Sequence, residues 1–172
     1  MKVIAKVYEK ITHKKAPYYM HYSLWTMIIK PIRKWFSVVL IPSIPFNRMR
    51  IVLYRLCGYK IGKNVFIGMR CYLDDMCPEL FTVENSVTIS YGCFFACHGK
   101  GQDHRPIHIC EGAYLGMRCS VITSGDKNGV RIGYNSIIGA SSLVLNSIPD
   151  DSVAVGIPAL VRNGTNKLSI KE

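Results

Sequence analysis

Large apolar residues recur every six positions in four triplets: Ile61, Ile67, Leu73; Val83, Ile89, Phe95; Ile109, Leu115, Val121; and Ile132, Ile138, Val144. A period of six matches neither the 3.6-residue repeat of a helix nor the two-residue alternation of a strand. It matches a coil with three short flat faces, one hexapeptide to a face. Each large residue then points into a narrow prism, and stacked coils bury one another's core. The position four residues later is mostly small: Val65, Cys71, Cys77, Val87, Cys93, Gly99, Ala113, Cys119, Gly125, Ser136, Ser142 and Ile148. Small side chains suit the tight space near a corner. The pattern predicts an all-β core built as a parallel β-helix.

The triplets are separated by 10, 14 and 11 residues instead of six, so insertions of four, eight and five residues leave the prism near one corner. Loops stacked along one edge of a rigid scaffold can build a cleft, the longest spanning roughly Gly99–His108. Residues 47–57 read as an amphipathic helix ended by Gly58 and suited to capping the first coil. A second helix is expected over about 18–40, broken at the prolines. Residues 149–161 should close the far end. The division is therefore an N-terminal helical segment, 1–58, a β-helix domain, 59–162, and a tail, 163–172. Seven cysteines are an odd number without paired zinc-ligand spacing. Cys71, Cys77, Cys93 and Cys119 fall in the small inward slot, where a free thiol acts as an apolar filler.

Charge is unevenly distributed. Residues 1–60 hold twelve Lys/Arg against the single acid Glu9, a net +11, while the remainder carries ten of each sign. The basic residues Lys30, Arg33, Lys34, Arg48 and Arg50 are interleaved with bulk such as Trp25, Ile28, Ile29, Trp35 and Phe36. That mixture is characteristic of a segment lying on an anionic membrane surface, and equally of one packed on its own core or on a partner subunit. No uncharged run approaches the roughly 20 residues of a membrane span, and no signal-peptide cleavage pattern accompanies it. Nucleic acid is not an expected partner, since no binding motif goes with the charge.

Ile61-Gly62-Lys63-Asn64-Val65-Phe66-Ile67-Gly68 resembles the opening coil of hexapeptide-repeat acyltransferases. Ile138-Gly139-Ala140-Ser141-Ser142-Leu143-Val144 followed by Val155-Gly156-Ile157-Pro158-Ala159 resembles their closing signature. Leu73-Asp74-Asp75 with Pro78-Glu79-Leu80 is similar to members that modify surface polysaccharides. The resemblance, over about 48–162, implies a left-handed coil, a homotrimer and acetyl-CoA as donor, with no metal. Handedness comes from the resemblance alone.

Acetyl transfer to a hydroxyl needs a base, and His serves near neutral pH. The family places that base in the long loop, facing a cleft between subunits. The loop here reads Cys97-His98-Gly99-Lys100-Gly101-Gln102-Asp103-His104-Arg105-Pro106. His98, three residues after the inward Phe95, points outward and matches the catalytic position of galactoside- and xenobiotic-type members. His104 is the rival, by likeness to the serine acetyltransferases, and otherwise an acceptor contact. Asp74-Asp75 stands where those enzymes carry an Asp-His pair, which argues against a serine acceptor. Asp74 or Asp75 would bind the acceptor, orient His98 across the interface, or be a solvated corner carboxylate. His13, His21 and His108 read as structural or exposed.

For CoA, family position implicates Gly116, Ala140 and Ser141, with Pro158 near the adenine and Arg162 near a phosphate. Leu160 and the bulky Met117 depart from the family pattern. The expected activity is acetylation of a sugar hydroxyl or amino group in cell-envelope polysaccharide synthesis, on a saccharide or lipid-linked saccharide. The expected location is cytoplasmic, peripheral on the inner membrane face. Two alternatives stand beside it: acetylation of a soluble antibiotic or free sugar, and a non-catalytic or zinc-dependent β-helix using His98, His104 and His108.

Overall fold

A computed structural model of the 172-residue chain describes residues 10–12, 24–98, 104–123 and 128–162, with the side chains of 24–28 and of 30 outside that description. The expectations for His13, His21, Gly99, Gly125 and the tail 163–172 lie outside the described residues.

Among the described residues there are thirteen short strands, most of them on the six-residue period: β1 Lys60–Ile61, β2 Phe66–Ile67, β3 Phe81–Val83, β4 Thr88–Ile89, β5 Phe94–Ala96, β6 Ile107–Ile109, β7 Tyr114–Leu115, β8 Ser120–Ile122, β9 Val130–Ile132, β10 Ile137–Ile138, β11 Leu143–Val144, β12 Val153–Val155 and β13 Leu160–Val161. They sort into three faces of a prism. The first face is β1-β3-β6-β9, the second β2-β4-β7-β10-β12-β13, and the third β5-β8-β11. Apart from the antiparallel β12–β13 closure, every pairing is parallel, and each strand lies one full coil from its partner. The register stacks the repeat on itself: Ile67 pairs with Ile89, Ile89 with Leu115, and Leu115 with Ile138.

All twelve six-spaced residues are buried and form the core. So are the ten described members of the small inward set, including Cys71, Cys77, Cys93 and Cys119. The Cys119 thiol reaches the Cys93 sulfur at 3.6 Å, and Cys93 reaches the Ser90 and Gly116 carbonyls at 3.2 Å. The hydrogen bond with Cys119, together with burial, holds the Cys93 thiol up at about 12. These thiols fill the tight inward slot, as expected from their positions.

Two corners of the prism are tight. The third residue after each inward large residue takes a left-handed backbone there: Asn64, Arg70, Ser86, Arg118, Asn135 and Ser141 have φ between 50° and 57°. Non-glycine residues accept that cost because the corner amide bonds the coil below, as Ser86 does to Lys63 and Ser141 to Met117. Glycine is required for another reason beside the corner. A Cβ on Gly68 would lie 2.6 Å from the Ser90 carbonyl carbon and the Tyr91 nitrogen, both backbone of the next coil. The remaining corner, between the third and first faces, emits all three insertions.

An open coil exposes unpaired strand groups. The helix α3, Asn47–Leu56, covers that end and satisfies them with side chains. Asn47 bridges the Val65 carbonyl and the Ile67 amide, the buried Arg50 donates to the Ile67 and Ile44 carbonyls, and Arg55 donates to those of Ile61 and Gly62. α3 ends in a Schellman turn: Tyr59 N–H bonds the Tyr54 carbonyl, Gly58 N–H bonds that of Arg55, and Gly58 has φ of 102°.

The preceding helix departs from expectation. α1, Leu24–Trp35, runs through Pro31 without a break and continues as a π-helical stretch, Phe36–Leu40, into the turn α2, Ile41–Ser43. One proline removes one ladder bond, which neighbouring bonds can outlast. The chain leaves helical geometry at Ile44, ψ 128°, because the residue before Pro45 is pushed to extended backbone.

Candidate active site

Asp74 begins the first insertion and His98 begins the second, one coil apart at the open corner. His98 Nδ1 lies 2.6 Å from Asp74 Oδ2 within the same chain. The Asp74 side chain has 0% of its surface exposed, and that of His98 has 36%. The carboxylate is further held by the Cys97 amide at 2.7 Å and the Met76 amide at 2.9 Å. A carboxylate oxygen offers acceptor sites, and two backbone amides already donate to this group, so the Nδ1 N–H is the donor of the contact with His98. The neutral ring then offers Nε2 as its basic lone pair.

This geometry corrects two expectations for Asp74. It does not contact an acceptor, because it is buried with both oxygens engaged, and it orients His98 inside one chain, not across an interface. The sequence places both residues at one corner, but the distance between successive loops there is set by folding.

Around this pair the corner is stiff. Tyr59 donates to the Leu73 and Asp74 carbonyls, both at 3.1 Å, and burial raises its phenol pKa. Cys97 is fully buried behind Asp74, and burial pushes its thiol up to about 12. Tyr59 and Cys97 were not singled out in the sequence; only their proximity to the insertions could have flagged them. Asp75, the other acidic candidate, accepts from the Tyr72 hydroxyl at 2.9 Å and pairs with Lys34 of α1 at 3.6 Å. Tyr72 in turn stacks on Phe94, centroids 4.7 Å apart.

His104 sits opposite His98 in an antiparallel bridge, and the Arg105 amide bonds the Cys97 carbonyl at 2.6 Å. The long loop is therefore pinched at its base. Arg105 also donates to the Thr123 carbonyl of the third insertion, at 3.0 Å.

His108 faces elsewhere, out from the first face, where its Nε2 meets Glu84 Oε1 at 2.6 Å. That hydrogen bond holds the Glu84 carboxyl below its ordinary value. Glu84, His108 and Cys110 bring their donor atoms within 4.8 Å of one another, whereas His98, His104 and His108 form no such cluster among the described residues.

The residues expected at CoA lie on another corner, between the second and third faces. Ala140 and Ser141 are exposed there, and the Ala159 amide that follows exposed Pro158 bonds the Leu143 carbonyl. Gly116 lies one coil below and is buried. Its amide bonds the Ile138 carbonyl and its own carbonyl takes the Cys93 thiol, so both backbone groups are committed inside the coil. A Cβ on Gly116 would stand 2.6 Å from the Ala140 nitrogen, so this glycine sets the coil spacing instead of offering the expected ligand contact. Arg162 is exposed at the end of the β12–β13 closure.

No protein-family model matches the chain. A Staphylococcus aureus (strain COL) protein named as an acetyltransferase by inference is 37% identical over 110 residues, 59% of this chain and 53% of that protein. The galactoside O-acetyltransferase of Lactococcus lactis subsp. lactis is 41% identical over 70 residues, 41% of this chain and 31% of that protein. The chain spans about half the length of the curated relatives it matches first. Among solved structures, a hexapeptide-repeat acetyltransferase from Vibrio cholerae, solved also with acetyl-CoA, superposes with a TM-score of 0.64 at 20% identity. That match covers 82% of this chain and 93% of that one. A maltose O-acetyltransferase from Clostridium difficile 630 gives a TM-score of 0.55 at 19% identity, over 81% and 88%. The architecture is therefore the left-handed parallel β-helix.

Proposed function

We propose that this chain, which has the β-helix fold of the hexapeptide-repeat acetyltransferases, is itself an acetyl-CoA-dependent acetyltransferase with His98 as general base and a saccharide hydroxyl as acceptor. The observation that carries the reading is the buried Asp74 holding Nδ1 of a half-exposed His98. An imidazole fixed in that tautomer can accept a proton at Nε2 at neutral pH. As the acceptor oxygen bonds to the acetyl carbonyl carbon, His98 Nε2 takes the hydroxyl proton, and Asp74 stabilises the resulting imidazolium. The carbon–sulfur bond breaks, the sulfur leaves with its electron pair, and His98 returns the proton to it. Acetyl ester and free CoA thiol are the products.

The sugar assignment is supported by the galactoside O-acetyltransferase relative and by Asp74-Asp75 standing where serine acetyltransferases carry Asp-His. An acceptor in envelope polysaccharide synthesis, reached from the cytoplasmic side of the membrane, fits that chemistry. Donor and base residues lie on different corners of one prism, with β5, β8 and β11 between them. One chain does not bring them together. A homotrimer would, by setting the His98 corner of one subunit against the Ala140 and Ser141 corner of the next. Pro158 and Arg162 would then cover the nucleotide end of CoA, while His104 and Asp75 border the acceptor.

The test is CoA thiol release from acetyl-CoA with a panel of sugar acceptors, wild type against His98→Ala. The mutant should lose about 10²–10⁴-fold in kcat with its oligomeric mass unchanged. Equal turnover by both proteins would remove His98 as the base and point to His104.

A further inference from the structure

The N-terminal helices expose far more apolar surface than a solvated cap requires. Ile29, Ile32, Phe36 and Val39 lie at helical spacing along α1 and its π-helical continuation, and all four are exposed. Trp35 stands beside them, edge-on to Phe36 at 5.3 Å. On α3, Met49, Val52 and Leu56 form a second exposed stripe, Leu56 at 78%, opposite the face that buries Arg50, Ile51 and Tyr54. Large contiguous apolar surface marks an interaction site.

The charge around these stripes selects the occupant. Arg50 and Arg55 are consumed in capping the first coil. Arg33 and Arg48 remain exposed, and Lys34 is exposed along most of its side chain while its Nζ reaches Asp75. No acid lies between Glu9 and Asp74 in the sequence. A two-fold pairing of this patch with the same patch of a second copy would set like charges together as the apolar stripes met. A bilayer carrying anionic headgroups satisfies both features: side chains such as Trp and Ile enter the headgroup boundary while Lys and Arg meet phosphates. The mode is surface binding, since no described helix is long and apolar enough to cross a membrane.

We infer that the exposed faces of α1 and α3 form a docking surface for an anionic lipid bilayer, placed beside the His98 corner. The second half of this statement rests on the ion pair of Lys34 in α1 with Asp75, the residue next to the carboxylate that holds His98. An acceptor anchored in the same bilayer by a lipid tail would enter this corner from the membrane side. That consequence rests on the acetyltransferase reading; the docking itself does not.

The experiment is vesicle flotation of the full chain without acetyl-CoA. Phosphatidylcholine vesicles are compared with vesicles in which about one third of the lipid is phosphatidylglycerol. Wild type should float with the anionic vesicles only, and added salt should weaken the association. The exposed-residue pairs Ile32→Ser with Phe36→Ser, and Met49→Ser with Leu56→Ser, should each reduce bound protein about tenfold or more. Their oligomeric mass, unfolding temperature and turnover of a soluble acceptor should match wild type. Absence of wild-type binding overturns the inference, as does retained binding in both variants. Dissociation of the variants' oligomer would overturn it too, assigning the stripes to contacts between copies. Because turnover is read separately, failure of docking and failure of catalysis are distinguishable.

Discussion

The Asp74 side chain has no exposed surface, so every hydrogen bond its carboxylate accepts comes from protein: His98 Nδ1 and the Cys97 and Met76 amides. Replacing it by Asn keeps the volume but turns an acceptor-only group into one that also carries an N–H₂, and that face can present itself to His98. The ring then either loses its partner or adopts the tautomer that places the proton on Nε2, the atom needed as base. Asp74→Asn should therefore lower kcat by about 10²-fold or more while leaving KM for acetyl-CoA within about twofold. Steady-state kinetics on both substrates checks this, with thermal unfolding to show the fold is intact. A parallel rise in KM for acetyl-CoA would mean that the corner itself had collapsed. Sequence spacing puts Asp74 and His98 at the same corner. It cannot say which of two adjacent acids turns inward, because that choice depends on the donors converging from residues 76 and 97.

Each hexapeptide depends on an apolar side chain filling the prism, and several also need a glycine where coils nearly touch. Leu115 is fully buried and pairs with Ile89 and Ile138 on either side. Leu115→Ala leaves a void that a narrow prism of hydrogen-bonded coils cannot close, at a cost of about 2–5 kcal/mol. Gly68→Ala acts by collision, since the groups its Cβ would meet are backbone of the next coil and cannot rotate away. It should cost about 1–3 kcal/mol. Urea unfolding of both variants at constant m-value would measure the losses. Gly62 and Gly116 meet the same obstacle. The course of α1 through Pro31 was not legible in this way. Whether a helix survives a proline depends on the bonds that remain around it, not on the proline alone.

At the scale of the whole molecule, the base and the expected donor groove belong to different corners, so activity should require subunits and not a single chain. Co-expression of His98→Ala with Ala140→Trp, each inactive alone, should restore about a quarter of the wild-type rate if random trimers form. Mixed oligomers isolated through two affinity tags, with one intact interface of three, should show about one third of the wild-type rate, and absence of recovery would place the whole site on one subunit. The sequence by itself determined the coil: its period, its inward residues, the cysteines that fill it and the corner that emits the loops. It did so because a six-residue repeat has one economical way to bury its large side chains. Only the tertiary structure decided how that corner works. It turned Asp74 inward onto His98 and sent His108 to another face with Glu84. It also spent Arg50 and Arg55 on the open end of the first coil and left the apolar stripes of α1 and α3 uncovered. The Asp74–His98 and Glu84–His108 contacts depend on which donors and acceptors meet across coils 24 residues apart in sequence, a distance over which local pattern carries no information about side-chain direction.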